Sequence, residues 1–172
     1  MRMSKDNDND NDKVTNIVVA GLGGQGVLTA TDIVADVAVS AGLDVKKSEL
    51  HGMSQRGGSV SSDVRFGAKV FSPMVPEGEA DYLVVISADQ VSVNAAALRK
   101  DGDGVGVGVL IEPANVDEKK LRNKRSINVA LLGALSRHLP FTDEQWIAAI
   151  KRNLPEAIHD VNVEAFRLGK SA

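Results

Sequence analysis

One stretch near the start of the chain carries its strongest structural signal: Asn16-Ile17-Val18-Val19-Ala20-Gly21-Leu22-Gly23-Gly24-Gln25-Gly26. The apolar half predicts a buried strand, and the glycine half predicts a tight turn that opens a helix. Glycines let the backbone approach a ligand closely. Because the free N–H groups at the start of a helix carry partial positive charge, the stretch predicts a site for a phosphate-sized anion.

The glycine turn allows more than one interpretation. Gln25 adds a side-chain amide that can donate and accept hydrogen bonds at the helix start, which favours contact with an anion or a partner. The alternative is that Gly21, Gly23, Gly24 and Gly26 only permit close packing of helix on strand. The turn also satisfies G-x-G-x-x-G, and Glu49 follows at about the distance of a ribose-binding acid in a dinucleotide fold.

A helix is predicted after the turn from apolar residues at helical spacing, namely Ala30, Ile33, Val34, Val37, Ala38 and Ala41. Gly42 is a natural C-terminal stop, and an extended piece covers residues 43–50. The first part of the chain is therefore a strand–turn–helix unit followed by a second strand.

A second loop, His51-Gly52-Met53-Ser54-Gln55-Arg56-Gly57-Gly58, is dense in glycine and polar groups. Arg56 can hold a phosphate or carboxylate through two parallel hydrogen bonds. The groups that would surround the same anion are Ser54, Gln55, Gly57 and Gly58. This loop is a second candidate binding site, and His51 and Met53 are candidate contacts with a partner subunit. The alternative is a solvated loop whose arginine pairs with a surface carboxylate.

The rest of the chain predicts further strands and a helical end. Alternating apolar residues and the turn Gly67-Ala68 predict an antiparallel hairpin over residues 63–72, and residues 82–86 predict a central strand. Asp89 is predicted to cap a helix that extends to residue 100. Residues 102–108 predict a glycine-rich turn before the strand Val109–Ile111. Toward the end we predict a helix over residues 127–139, a capping box formed by Thr142 and Gln145, and a last helix capped by Asn162.

Composition limits the class of protein. The chain has 172 residues, which suits a single domain over residues 14–172 after a disordered, Asp- and Asn-rich tail at 1–13. It has no cysteine, so it cannot ligate an iron–sulfur cluster through thiolates. A formal charge of −3 gives no overall attraction to nucleic acid, and no apolar run approaches the roughly 20 residues that span a membrane. We therefore expect a cytoplasmic protein that binds neither nucleic acid nor membrane.

Taken together, the two glycine loops closely resemble the small subunit of 2-oxoacid:ferredoxin oxidoreductases, and most closely that of the indolepyruvate type. The resemblance rests on residues 16–27 and 46–59 and continues through 78–83 and 128–135. One stretch is more basic than the family pattern: Lys119, Lys120, Arg122, Lys124 and Arg125. We interpret it as a solvated face, with a coenzyme phosphate or an acidic partner as the alternative.

The resemblance implies an α/β fold, a three-layer sandwich with a mixed β-sheet, like the gamma domain of pyruvate:ferredoxin oxidoreductase. It implies a larger partner subunit that carries thiamine diphosphate and the iron–sulfur clusters and passes electrons to ferredoxin. This chain alone would bind no metal or cofactor and supply no catalytic residue. Both glycine loops would lie toward the partner and the active site, with coenzyme A as a shared ligand, and a homodimer of the isolated chain stays open.

Two other functions stay open at this point. One is a stand-alone oxidoreductase that binds NAD or FAD, and the other is a nucleotide-sensing module without turnover. The antiparallel strands predicted after the second loop disfavour the dinucleotide interpretation, because that fold continues with parallel strands and helices.

Overall fold

The computed structural model describes residues 13–51, 58–100 and 107–172. The strands are β1 (Thr15–Leu22), β2 (Asp44–His51), β3 (Ser59–Gly67), β4 (Tyr82–Val85) and β5 (Val109–Ile111). The helices are α1 (Val27–Ser40), α2 (Val91–Asn94), α3 (Ile127–Ser136), α4 (Asp143–Asn153) and α5 (His159–Ser171). None of these described helices has the length and apolar character needed to cross a membrane.

The five strands form one mixed sheet in the order β2-β3-β1-β4-β5. Strand β1 lies in the middle, where Val18 is aligned with Asp63 of antiparallel β3 and with Leu83 of parallel β4. Strand β5 extends the parallel half, and β2 pairs antiparallel with β3 at the opposite edge. The parallel neighbours are joined through long connections, as parallel pairing requires.

Side chains of β1 alternate between two cores, because successive residues of a strand point to opposite faces. Ile17 and Val19 belong to the main core, which holds the buried residues of α1, α3, α4 and α5 and defines the helix face of the sheet. Val18 belongs to a smaller core on the other face with Leu83 and Val85. The apolar residues that cover this smaller core are Val75, Val91, Ala97 and Leu98.

The second face of the sheet is covered in part by the connecting segment, residues 68–81, which joins β3 to β4. The Asp63 carboxylate accepts a hydrogen bond from the Val75 N–H at 2.9 Å, and the Arg65 guanidinium donates to the Ser72 carbonyl at 2.9 Å. Burial raises the pKa of Asp63. Polar side chains of β3 thus hold the connecting segment across the sheet.

The hairpin predicted for residues 63–72 is wrong. Strand β3 pairs with β1 on one side and β2 on the other, so both of its edges are already taken when the chain leaves it at Gly67. The connecting segment is held by side chains instead: the Val70 N–H donates to Asp44 at 2.8 Å, and Val70 is buried. The two antiparallel partners of β3 are therefore β1 and the extended piece before the second loop, β2.

The continuous helix predicted from residue 89 to residue 100 is also wrong. In this range the structure has one short α-helix, α2, which is flanked by the 3-10 turns Ala88–Gln90 and Ala95–Ala97. Asp89 accepts a hydrogen bond from the Ser87 hydroxyl at 2.6 Å and caps no helical N–H. Leu98 then forms a parallel bridge with Ala80, because the chain is already returning to the sheet.

The two helix caps predicted toward the end of the chain have different outcomes. The capping box is confirmed, since the Gln145 side chain accepts the Thr142 N–H at 2.8 Å and the Thr142 hydroxyl accepts the Gln145 N–H at 3.2 Å. The cap predicted at Asn162 is wrong because α5 begins at His159. Asn162 lies inside its first turn, where it donates to the Ile158 carbonyl at 2.8 Å.

We expect Asp36→Asn to weaken the contact between α1 and α4. Asp36 accepts three hydrogen bonds from Arg152, at 2.8, 3.0 and 3.2 Å, and one from Asn153 at 2.8 Å. The Arg152 hydrogen bond, its charge and Asn153 together lower the pKa of Asp36 below 3.8. Because the folded pKa is depressed, this stabilisation is present above pH 3.8 and is lost as the pH falls through the folded pKa.

Urea denaturation at neutral pH and near pH 3 measures the Asp36 effect. The substitution should lower the free energy of unfolding by about 0.5–1 kcal/mol at pH 7, given solvent screening, and by less in acid. Glu77→Gln in the exposed connecting segment is the matched control and should be near neutral. An equal loss at both pH values would contradict the electrostatic origin.

Candidate functional site

The glycine turn joins the carboxyl end of β1 to α1. Gly24 and Gly26 have φ angles of +85° and +84°, which L side chains rarely adopt. The Gln25 N–H donates to the Leu22 carbonyl at 3.1 Å, and the Gln25 side-chain oxygen accepts the Leu22 N–H at 2.7 Å. One half of the Gln25 amide therefore closes the turn, while no described residue accepts from its nitrogen.

A cavity of about 520 Å³ opens beside this turn. Its lining residues are Gly24, Gln25, Gly26, Lys124, Arg125, Ile127 and Asn128. The glycine turn supplies one wall, and the 3-10 turn Lys124–Ser126 with the start of α3 supplies the other. The cavity volume lies within the range of ordinary small-ligand sites.

Two cationic side chains, those of Lys124 and Arg125, make the wall opposite the glycine turn positive. The Asn123 side chain accepts the Arg125 N–H at 3.0 Å and so shapes the turn that carries them. The Lys124 ammonium donates to the Glu118 carbonyl, and no carboxylate of the described residues pairs with Arg125. A guanidinium with this freedom can bind an anion through a planar pair of N–H groups.

Asn128 joins the two walls of the cavity. It is 7% exposed, and its side-chain nitrogen donates to the Gly26 carbonyl at 3.2 Å. No described residue donates to its side-chain oxygen. A second cavity of about 250 Å³ adjoins the first, with Arg125 and Asn128 common to both linings. The site therefore offers cationic groups and a hydrogen-bond acceptor side by side.

The structure places the predicted site residues as follows. Gly21 lies near the end of β1, whereas Gly23, Gly24, Gln25 and Gly26 form the turn, and the Gly23 N–H donates to the Gly58 carbonyl at 2.9 Å. The end of the second loop therefore lies against the first. Residues 52–57, which include Met53, Ser54, Gln55, Arg56 and Gly57, lie outside the described residues, as does the side chain of His51. Ligand binding by both loops stays a prediction.

The basic stretch is only partly a solvated face. Lys124 and Arg125 line the cavity, whereas Arg122 pairs with Glu164 at 3.0 Å and Lys120 with Asp117 at 3.8 Å on the surface. Spacing alone gave no means of separating these groups, because the division depends on where the chain turns into α3.

The dinucleotide interpretation fails on topology. In that fold the ribose-binding acid ends the strand next to the glycine turn. Glu49 instead lies on the edge strand β2, which antiparallel β3 separates from β1, and its carboxylate is 3.7 Å from the Lys47 ammonium. Glu49 is therefore a surface ion-pair residue.

The described ranges contain no cluster of three or more His, Asp or Glu side chains that could hold a metal ion. The chain as a whole has no cysteine. None of these 172 residues can therefore hold an iron–sulfur cluster through a thiolate.

Comparison with known proteins finds relatives over most of the chain. Residues 16–172 match the family model for Pyruvate ferredoxin/flavodoxin oxidoreductase. Indolepyruvate oxidoreductase subunit IorB of Thermococcus kodakarensis is 34% identical over 194 residues, which cover 93% of this chain and 96% of that protein. These matches confirm the resemblance drawn from the two glycine loops.

Solved structures show the same fold. The gamma subunit of a keto/oxoacid ferredoxin oxidoreductase from Geobacter sulfurreducens aligns with a TM-score of 0.70 at 22% identity, over 92% of this chain and 95% of that one. A 2-oxoglutarate:ferredoxin oxidoreductase from Magnetococcus marinus, with 2-oxoglutarate, coenzyme A and succinyl-CoA bound, aligns with a TM-score of 0.75 at 22% identity. That alignment covers 92% of this chain and 31% of that chain. The predicted α/β fold with a mixed sheet is confirmed.

Proposed function

This chain belongs to the pyruvate ferredoxin/flavodoxin oxidoreductase family, and on that ground we propose that it is the non-redox small subunit of a 2-oxoacid:ferredoxin oxidoreductase. Its relatives are subunits of oxidoreductases, and two of them, 34% and 33% identical to this chain, are named as subunits of an indolepyruvate oxidoreductase. The substrate is accordingly an aryl 2-oxoacid. The chain alone is inactive.

The proposed reaction divides between two kinds of subunit. A larger partner binds thiamine diphosphate and the iron–sulfur clusters, which supply the chemistry for decarboxylation and electron transfer. The 2-oxoacid loses carbon dioxide, its acyl group passes to the sulfur of coenzyme A, and the electrons released reduce ferredoxin. This chain has no thiolate with which to hold a cluster, so its contribution is to bind, orient and exclude water.

Contact of this chain with the coenzyme is supported by the cationic cavity beside the glycine turn. Lys124 and Arg125 line this cavity and would neutralise coenzyme A phosphates, and the start of α1 adds partial positive charge. The free oxygen of Asn128 can accept a hydrogen bond from an N–H or O–H group of the same molecule. The residues present therefore fit a phosphate-bearing coenzyme that the partner also contacts.

Kinetics of the assembled complex test this role. We expect Arg125→Ala to raise the KM for coenzyme A about tenfold, a loss of about 1.4 kcal/mol, because one charge-assisted contact disappears. The kcat should change little, since the contact exists in the ground state and the transition state alike. Lys119→Ala, an exposed lysine of the same basic stretch outside the cavity, should leave the KM unchanged. An unaltered KM in a normally assembled Arg125→Ala complex would exclude the cavity as a coenzyme site.

A further inference from the structure

Phe71 is the most exposed large apolar side chain among the described residues, with 87% of its surface accessible. Its backbone is nevertheless held on both sides. The Val70 N–H donates to Asp44, and the Ser72 carbonyl accepts from Arg65, at 2.8 and 2.9 Å. An aromatic ring presented on a fixed backbone loses little entropy on binding, which is typical of anchor residues at interfaces.

Two further exposed apolar side chains belong to the connecting segment and to the sheet face that it covers. Met74 is 50% exposed in the same connecting segment, and Leu50 is 47% exposed at the end of β2. Leu50 is aligned with Ser61, which lies on the same face of β3 as Asp63, the residue that holds the connecting segment. We define Phe71, Met74 and Leu50 as the docking face.

The docking face is flanked by positive charge. The Lys69 ammonium lies 6.0 Å from the centre of the Phe71 ring. The Val70 N–H hydrogen bond lowers the pKa of Asp44, and the nearby charges of Lys46 and Lys69 lower it further. The ammonium groups of Lys46 and Lys69 thus lie near the Asp44 carboxylate, which is already hydrogen-bonded to the backbone. The net charge beside Phe71 is therefore positive.

We propose that the docking face binds the larger subunit of the complex, through an apolar pocket that receives Phe71 and carboxylates that face Lys46 and Lys69. This inference rests on the proposed function. A second copy of this chain is a poor occupant, because a twofold contact sets the same patch against itself and brings the lysines together. Along β2 the docking face leads to His51, where the loop expected to meet the partner begins.

Binding of the purified full chain to its larger subunit tests the proposal. We expect Phe71→Ser to raise the dissociation constant roughly tenfold or more, as for an anchor residue. The matched control is Val39→Ser, which removes an exposed apolar side chain of α1, 59% accessible, from the opposite side of the sheet. Lys69→Glu should slow association and reduce its dependence on salt.

The outcomes separate the docking face from the proposed function. Failure of the unmodified chain to bind any larger subunit would remove the proposed function itself. Normal binding by the unmodified chain and by Phe71→Ser alike would overturn the docking face while leaving the function intact. Loss of self-association in Phe71→Ser, measured by analytical ultracentrifugation, with unchanged binding to the larger subunit would assign the face to a second copy and also overturn it.

Discussion

Replacement of Gly133 with alanine is expected to lower the free energy of unfolding by about 3 kcal/mol or more, through overpacking at a helix crossing. Gly133 lies inside α3, where an added Cβ would stand 2.0 Å from the Phe166 carbonyl oxygen and 2.8 Å from the Lys170 nitrogen of α5. Both contacts are with backbone atoms, so no side chain can rotate away. The two helices must separate, which exposes the core that they share.

The sign of the Gly133 effect is diagnostic. A change from glycine to alanine within a helix ordinarily stabilises that helix by about 1 kcal/mol. A large decrease in the free energy of unfolding must therefore come from the crossing of α3 and α5. Unfolding in urea can be followed by the fluorescence of Trp146, the single tryptophan, which is buried beside Phe166. Gly42→Ala is the matched control: its φ is +85° and nothing lies within 4 Å, so about 1–2 kcal/mol of backbone strain is expected. A milder loss for Gly133→Ala than for this control would contradict the crossing geometry.

Local signals in the sequence predicted local structure well. The strand–turn–helix unit of β1 and α1, the stop at Gly42 and the capping box at Thr142 each depend on residues within a few positions of one another. The hairpin of residues 63–72 failed for the opposite reason. Gly67-Ala68 resembles a turn, but strand pairing is decided by which edges are free, and β2 and β1 occupy both edges of β3.

Only one wall of the candidate site was predicted from the sequence as a binding site. The glycine turn is recognisable from its composition, whereas the opposite wall comes from the end of the basic stretch, for which binding of a coenzyme phosphate was only the alternative to a solvated face. Asn128 reaches Gly26 across 102 residues, and only the packing of α3 on the helix face brings them together. Lys124 and Arg125 line the cavity because of the same packing of α3, which cannot be predicted from the spacing of residues along the chain.

The contact between the two walls gives the second large effect: Gly26→Ala is expected to destabilise the chain by about 2–4 kcal/mol, from strain at positive φ together with overpacking. The φ of Gly26 is +84°, and an added Cβ would lie 2.4 Å from the Asn128 side-chain nitrogen. Gly24→Ala is the control that isolates strain, because its φ is +85° with nothing within 4 Å. Its loss should be about 1–2 kcal/mol.

A double-mutant cycle separates the steric part of the Gly26 effect from the backbone part. Asn128→Ala alone removes one hydrogen bond to the Gly26 carbonyl and should cost about 1 kcal/mol. Combined with Gly26→Ala, it also removes the atom that the new Cβ would strike, so the double variant should be about 1–2 kcal/mol more stable than the sum of the single losses predicts. Strict additivity in urea denaturation would mean that the glycine is required for its φ alone. A positive coupling would establish that Gly26 and Asn128 hold the two walls of the cavity at their observed separation, because only direct contact between them can make the second substitution relieve the first.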